Sequence, residues 1–192
     1  MKKLLLACLL LAGPSLQAET FIVYAQGDVA LLTAGATPPL PADPVRATLL
    51  DAFLHDLAQA QPFLAPIPLT DFPQYGRKVA GAGGQIQFHE SFPGGFVVKV
   101  ALHGLPPSHR FILTLNGNPE RAGNNQLPET VPGNAREKYY DFQTITTDVA
   151  GRFEATYAIA LPAGPYDLRC YVKDTADFKI VLYHDFFRFT VR

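Results

Sequence analysis

The sequence contains no tryptophan, one methionine and two cysteines. Of these shortages, the shortage of cysteine excludes the most kinds of site. Cys8 lies in an apolar segment at the start of the chain that we expect to be removed. The remaining chain then has only Cys170, so we expect no intramolecular disulfide. We expect Cys170 to be a small buried hydrophobic residue, because a reactive thiol needs an exposed and electropositive setting.

Long apolar runs and clusters of charge are also absent. After Ala18 no stretch is long and apolar enough to cross a bilayer, so we expect no membrane span in the mature chain. The chain has 16 Lys and Arg against 17 Asp and Glu. This balance disfavours nucleic acid or an anionic membrane surface as the main partner, because both bind clustered cations.

The first 18 residues have the composition of a secretory signal peptide. Two lysines precede an apolar run over residues 4–12, and Ala18 supplies a small residue at the expected cleavage site. We therefore predict export to the periplasm or the extracellular space. Cys8 follows Leu-Leu-Ala and leaves a lipoprotein alternative open, although the apolar run continues beyond it.

Residues 19–80 form a mixed region by their pattern. The stretch TFIVYAQGDVALLTA predicts two short strands that turn at Gln26-Gly27-Asp28. Asp43-Pro44 has the features of a helix start, and VRATLLDAFLHDLAQAQ follows with apolar residues at helical spacing. We predict one amphipathic helix there, ended by Pro62.

Residues 81–192 follow a different pattern, in which apolar side chains recur with a period of two. We count about seven strands, which predicts a mainly β fold: an immunoglobulin-like antiparallel β-sandwich behind a small N-terminal α+β region. The sets expected to face inward are Phe96, Val98, Val100 and Leu102; Phe111, Leu113 and Leu115; Phe153, Ala155, Tyr157 and Ile159; and Tyr166, Leu168, Cys170 and Val172.

Turn residues separate the predicted strands, and the last strand changes phase. Asp148 and Gly151 predict one tight hairpin turn, and Gly164-Pro165 predict the next. In the last strand the inward apolar positions change from even to odd numbers near His184-Asp185. One extra residue in a β-bulge produces such a change.

The run GQIQFHESFPGGFVVKVALHGLPPSHRFILTLNG resembles the first part of the copper-zinc superoxide dismutase fold, where a Gly-Leu-x-Pro turn leads into a strand with copper-binding histidines. His109 and Phe111 match that strand, whereas Ile112 and Thr114 stand at the copper-ligand positions. In CYVKD, Lys173 stands where the family has another histidine. Neither isoleucine nor threonine replaces imidazole on copper, so the resemblance implies a sandwich without dismutase activity.

The stretch TTDVAGRFEATYAIALPAGPYDLRCYV resembles a second group, the carboxypeptidase regulatory and transthyretin-like sandwiches. The shared features are Thr-Asp-x-x-Gly-x-Phe, then Leu-Pro-x-Gly-x-Tyr and an apolar strand. This resemblance implies a binding or spacer module.

No catalytic motif is recognisable, since the chain has no Gly-x-Ser-x-Gly, no phosphate loop and no dinucleotide fingerprint. We expect no cofactor and favour a non-catalytic protein. The alternative is a metal-binding or enzymatic protein derived from a dismutase-like sandwich. It would use strand-end histidines in one hairpin region and one carboxylate, although no histidine pair has zinc-type spacing. Its candidate ligands are His89, His103, His109 and Asp141.

Residues 116–140 make an unusually long connection between predicted strands, rich in Asn, Gly and Pro. Loops longer than about 12–15 residues are uncommon in compact domains and often bind ligands. Amides, arginines and tyrosines suit a protein or carbohydrate partner. A packed crossover without a ligand is the alternative. The candidate ligand-binding residues are Asn116, Asn118, Arg121, Asn124, Asn125, Arg136, Tyr139 and Tyr140.

Overall fold

The structure is a computed structural model that describes residues 20–25, 28–33, 62–72 and 76–192. The predicted signal peptide and the predicted helix over residues 45–61 lie outside the described residues. The strands, in chain order, are β1 (Thr20–Ala25), β2 (Asp28–Thr33), β3 (Ile67–Leu69), β4 (Gly83–Phe88), β5 (Ser91–Phe92), β6 (Gly95–His103), β7 (Arg110–Gly117), β8 (Val131–Asn134), β9 (Glu137–Thr146), β10 (Phe153–Ala160), β11 (Gly164–Asp174) and β12 (Ile180–Val191), with a 3-10 turn at Asn124–Gln126.

These strands form two six-stranded sheets, which confirms the mainly β prediction. The first sheet has the order β2-β1-β10-β6-β4-β3, and the second has the order β5-β12-β11-β7-β9-β8. All neighbouring strands are antiparallel except β1 with β10 and β12 with β5. The two predicted N-terminal strands are present as the antiparallel pair β1 and β2.

One hydrophobic core contains side chains from both sheets. The ring of Phe88 on β4 lies 5.1 Å from that of Phe187 on β12, and Phe96 on β6 lies 4.0 Å from Phe189 on β12. The four alternating sets predicted from the sequence all lie in this core, with Phe153 half-buried at its margin. The alternation of apolar residues predicted the buried side chains correctly, because each strand of these sheets presents one face to the other sheet.

The last strand contains the predicted bulge. Leu168 pairs with Phe187 and Cys170 pairs with His184, so β12 uses one residue more than β11 over this interval. The strand count differs from the prediction, because nine strands rather than about seven lie between Gly83 and Val191. The additional strands include β5 and β8, with two and four residues, which are too short for a period-two pattern.

Three connections meet at one end of the two sheets, which we call the turn end: residues 104–109, 148–151 and 175–179. The Ser108 N–H donates to the Asp148 carbonyl, and the Thr175 N–H donates to the Arg110 carbonyl. At the opposite end β11 begins and β12 finishes. The length of β11 from Tyr166 to Asp174 separates the two ends by about 27 Å.

Candidate functional site

Asn124 fastens the long connection between β7 and β9 to the start of β11. Its Nδ2 donates to the carbonyls of Asn118 and Asp167 at 2.9 and 2.8 Å, and its Oδ1 accepts the Asp167 N–H at 3.0 Å. The Gly123 N–H donates to the Pro165 carbonyl at 2.6 Å. Asn124 is fully buried, so its amide holds the chain and does not face solvent.

Asn116, at the end of β7, is a second fully buried amide. Its Nδ2 donates to the Lys138 carbonyl at 3.0 Å, which joins β7 to β9. Its Oδ1 accepts from Arg169 Nη1 and from the Tyr171 hydroxyl, both at 3.0 Å. All of these partners belong to the second sheet, so Asn116 stabilises the surface on which the connection lies.

Three other candidates in the connection have more solvent exposure. Asn118 is half-buried and its Oδ1 accepts the Glu120 N–H, as in a local turn. Asn125 is exposed, and its carbonyl accepts a hydrogen bond from Lys138 Nζ at 2.6 Å. Arg136 is exposed at the turn between β8 and β9. These residues do not converge on one cavity in the part of the chain that the structure describes.

The two tyrosines differ in their surroundings. Tyr140 is half-buried and packs against the core, and burial raises its pKa. The Tyr139 hydroxyl donates to the Glu137 carboxylate, and burial together with that bond raises its pKa. Both phenols therefore remain protonated at neutral pH and act as hydrogen-bond donors.

Arg121 is the candidate that reaches a cavity. Its guanidinium lies 3.7 Å from the ring centroid of Phe186 on β12, and that of Arg169 lies 3.9 Å from the same centroid. Two guanidiniums at these distances would overlap on one face of the ring, so they lie on opposite faces. Stacked cation-π contacts of this kind hold Arg121 in one orientation, with Nη2 2.6 Å from Asp167 Oδ2.

An open cleft of about 510 Å³, with polar and apolar lining in similar measure, lies beside Arg121, at the end of the sheets opposite the turn end. Arg188 Nε lies 3.6 Å from Asp167 Oδ2, so two arginines flank one carboxylate. The other oxygen, Asp167 Oδ1, is buried and has no hydrogen-bond partner among the described residues. The lining residues are Glu90, Arg121, Ala122, Pro165, Tyr166, Asp167, Arg188, Phe189 and Thr190.

The positions compared with dismutase copper ligands lie together on the second sheet, where Lys173 is opposite Ile112. Lys173 Nζ lies 2.6 Å from Asp141 Oδ1, and the Thr114 hydroxyl donates to the same oxygen at 2.6 Å. A lysine ammonium is a cation itself and has no lone pair for a metal when protonated. The arrangement is an ion pair with a hydroxyl donor.

The residues of the metal-binding alternative lie in different places. His103 is opposite the first residue of β4 and His89 follows the last one, so about 20 Å separate their backbones. His109 lies at the turn end, and Asp141 is bonded to Lys173 within the second sheet. Among the described residues no group of three or more His, Cys, Asp or Glu side chains could hold a metal ion.

His109 takes part in a different pair, with a buried carboxylate. Its Nε2 lies 3.0 Å from both oxygens of Asp174, which also accepts from Arg77 and from the Ala176 N–H. Burial alone would raise the pKa of Asp174, but the hydrogen bonds from Ala176, His109 and Arg77 outweigh it. The pKa of this carboxyl therefore lies below its ordinary value.

Asp167, Arg188 and Glu90 were not predicted from the sequence as residues of the site. A signal for Asp167 was present, because the residues between the inward positions of β11 are polar or ionisable and face the other side of the sheet. That alternation was used only to find the core. Glu90 and Arg188 carry no sequence signal, since only tertiary packing places them beside the long connection.

No protein-family model, no curated protein and no solved structure matches this chain. Among the described residues no helix is long and apolar enough to cross a bilayer.

Proposed function

We propose that this protein is a secreted or periplasmic, non-catalytic binding module whose ligand site is the cleft between Arg121, Asp167 and Arg188. Export is proposed from the signal-peptide pattern of the first 18 residues. For the fold we propose an immunoglobulin-like antiparallel β-sandwich preceded by one helix. The contacts between the two sheets and the helical spacing over residues 45–61 support this proposal.

The observation that carries the proposal is the unpartnered oxygen of Asp167. The Asp167 side chain is only 6% exposed, and its Oδ2 is bound by Arg121 while Oδ1 has no partner among the described residues. A buried carboxylate oxygen without a donor is costly, and most buried polar atoms have a partner. Oδ1 is closed off from solvent, so the proposal requires the Asp167 or Arg188 side chain to move before a ligand in the cleft can donate an O–H or N–H to it and remove this cost.

The charges of the cleft favour a neutral, hydroxyl-rich ligand. Its lining contains two carboxylates, Glu90 and Asp167, and two guanidiniums, Arg121 and Arg188, so it has no excess of either sign. A carbohydrate hydroxyl both donates and accepts, and therefore matches carboxylates and guanidiniums placed side by side. The volume fits a small ligand or the end of an oligosaccharide.

Titration of the purified chain with neutral oligosaccharides in a calorimeter tests the proposal. We expect Asp167→Asn and Arg188→Ala each to weaken the binding found for the native chain by about tenfold or more, because each removes a charge-assisted hydrogen bond. Arg188 is 79% exposed, so its replacement leaves the core intact. Asp185→Asn is the matched control, since Asp185 is 68% exposed and does not line the cleft.

The proposal is wrong if no oligosaccharide binds, or if binding is equally strong in the Asp167→Asn and Arg188→Ala variants. Unfolding curves of every variant accompany the titrations, so that loss of the fold is distinguished from loss of the site.

A further inference from the structure

The turn end of the molecule presents two large apolar side chains to solvent. Val149 is 87% exposed and Phe178 is 66% exposed, whereas the other exposed large hydrophobic residues of the described chain, Leu64 and Val131, are each 38% exposed. Each lies in its own turn: Val149 in the link from β9 to β10, which passes from one sheet to the other, and Phe178 in the hairpin of β11 and β12. The two therefore extend from the same end of the sheets.

Val149 is not needed by the turn that presents it. Asp148 Oδ1 accepts the N–H groups of Ala150 and Arg152 at 2.8 Å, and the Asp148 carbonyl accepts the Gly151 N–H at 3.0 Å. Gly151 supplies the left-handed residue, with a φ of 71°. Asp148 and Gly151 thus form a tight turn at the predicted place, but the prediction of a hairpin was wrong, because β9 and β10 belong to different sheets. Position 149 of such a turn accepts most residue types. An apolar side chain there gains nothing from the fold.

Phe178 fits its turn less well than Val149 fits its own, because the Phe178 backbone is left-handed with a φ of 58°. Its N–H donates to the Asp174 carbonyl, which closes the turn at 2.9 Å. Glycine and asparagine are the residues that adopt this conformation readily, and for a bulky side chain it is an outlier. Phe178 is therefore unfavourable both for the backbone and for solvation. Strained residues of this kind concentrate at functional surfaces.

The three connections of the turn end hold one another in place. Thr147 Oγ1 donates to the Pro106 carbonyl at 2.6 Å and accepts the His109 N–H at 3.0 Å. Thr175 Oγ1 donates to the Arg110 carbonyl at 3.0 Å. These bonds cross from one connection to the next. The two apolar tips are therefore presented on a preorganised support.

Three cations lie at or next to the first residues of strands that begin at this end. Arg152 is three residues after Val149 and Lys179 follows Phe178, and both are exposed, as is Arg110 at the start of β7. Three carboxylates lie at the same end, and each already accepts hydrogen bonds. Asp148 binds N–H groups of its own turn, Asp174 is buried against Arg77 and His109, and Asp177 binds Arg77 and the Lys179 N–H.

We infer that the turn end docks on a phospholipid bilayer, with Val149 and Phe178 inserted among the lipids and the three cations at the phosphate level. The order of groups along the molecule, apolar at the tips and cationic behind them, matches the order of hydrocarbon and phosphate in a leaflet. The whole chain has a formal net charge of −1, so it has no net long-range attraction to an anionic bilayer, and the apolar tips carry most of the binding.

The absence of tryptophan from the chain gives a direct test. In a Phe178→Trp variant the single indole reports on its own surroundings. On addition of vesicles of phosphatidylcholine and phosphatidylglycerol we expect its emission to shift to the blue and to be quenched by lipids brominated on their acyl chains. An indole that stays in water, with unchanged emission and no quenching, contradicts the inference.

Two substitutions separate docking from folding. We expect Phe178→Gly to raise the denaturation midpoint, because glycine relieves the left-handed strain, and to lower vesicle binding in a flotation assay by about tenfold or more. Val149→Ser should also weaken binding, and the double variant should abolish it. Val131→Ser is the matched control and should bind as the native chain does.

Two further measurements compare vesicles of different composition and test the Asp167→Asn variant of the cleft. We expect tighter binding to vesicles with phosphatidylglycerol than to pure phosphatidylcholine, and Arg152→Gln with Lys179→Gln should reduce that difference. Asp167→Asn should leave vesicle binding unchanged, so the docking inference stands or fails independently of the carbohydrate site. The inference is overturned if native protein floats with neither vesicle, or if Phe178 is required only for capture of a soluble protein.

Discussion

Lys173 Nζ lies 2.6 Å from Asp141 Oδ1, and the two side chains are only 10% and 16% exposed. Thr114, fully buried on the adjacent strand, donates its hydroxyl to the same oxygen. This ion pair lies on the side of the second sheet that faces away from the core, between β9 and β11. Burying two opposite charges is costly, so the pair stabilises the fold only while both partners are present.

Removing one partner of the ion pair should therefore lower the free energy of unfolding more than removing both. We expect Lys173→Met to lower the free energy of unfolding by roughly 2–4 kcal/mol, because it leaves the Asp141 carboxylate buried with one hydroxyl donor. Adding Asp141→Leu should restore part of the loss. Urea denaturation of the two single variants and the double variant measures the coupling, and simple additivity would contradict this account.

Asn124 provides the second prediction, since its amide makes two hydrogen bonds to Asp167 on β11 and one to Asn118 within the long connection. We expect Asn124→Ala to lower the free energy of unfolding by about 2–3 kcal/mol, because it removes the Asn124 partners of the buried N–H and carbonyl of Asp167. Asn125→Ala is the control and should change it by less than about 0.5 kcal/mol, because Asn125 is exposed. Equal effects of the two variants would argue against the clamp.

Some features of the fold could be predicted from the sequence, and others could not. Alternation of apolar residues placed Phe111, Leu113 and Leu115 in the core, because a period of two needs only local geometry. The bulge near His184 followed from the same rule. The role of Asn124 did not follow, since an Asn in a long polar segment has the same appearance whether it faces solvent or lies buried against β11.

The candidate site could also be predicted from the sequence only in part. Arg121 was identified from the long connection, but its partner Asp167 is 46 positions later in the chain and comes from a different strand. The cleft exists only because the connection folds back over the start of β11 and the end of β12. No local pattern encodes that packing, nor the left-handed conformation of Phe178, which occupies a turn position where glycine would have signalled it.

Asp174 gives a prediction of pH dependence. Its pKa in the folded state lies below its ordinary value, near 3.9 for an unfolded Asp, so the unfolded chain binds the proton more readily. The stability that this carboxylate contributes is present above about pH 4 and is lost as the pH falls through its folded pKa. We therefore expect the destabilisation caused by Asp174→Asn to be large at about pH 6 and to shrink towards about pH 3.

Denaturant titrations at several pH values measure this difference. Asp177→Asn is the matched control, because Asp177 lies in the same turn and is more exposed. Its effect should not vary in the same way with pH. A cost of Asp174→Asn that is constant from neutral to acid would contradict the proposed role of the hydrogen bonds from Ala176, His109 and Arg77.

Cys170 should be inert in the folded protein. It is fully enclosed in the core, and burial raises the pKa of its thiol to about 12, so almost no thiolate is present at neutral pH. We expect an aromatic disulfide reagent to label Cys170 at a rate limited by unfolding and to label it rapidly in denaturant. Fast labelling under native conditions would show that β11 is accessible.

Metal analysis separates the non-catalytic hypothesis from the dismutase-derived one. Lys173 already neutralises Asp141, and about 20 Å separate the backbones of His89 and His103, so no three candidate ligands can meet on one ion without rearranging the first sheet. We expect protein purified without chelators to contain far less than stoichiometric copper or zinc. A His109→Ala variant should then have the same metal content as the native chain. Stoichiometric metal that disappears with His109→Ala would instead favour a site that recruits the histidine now bonded to Asp174.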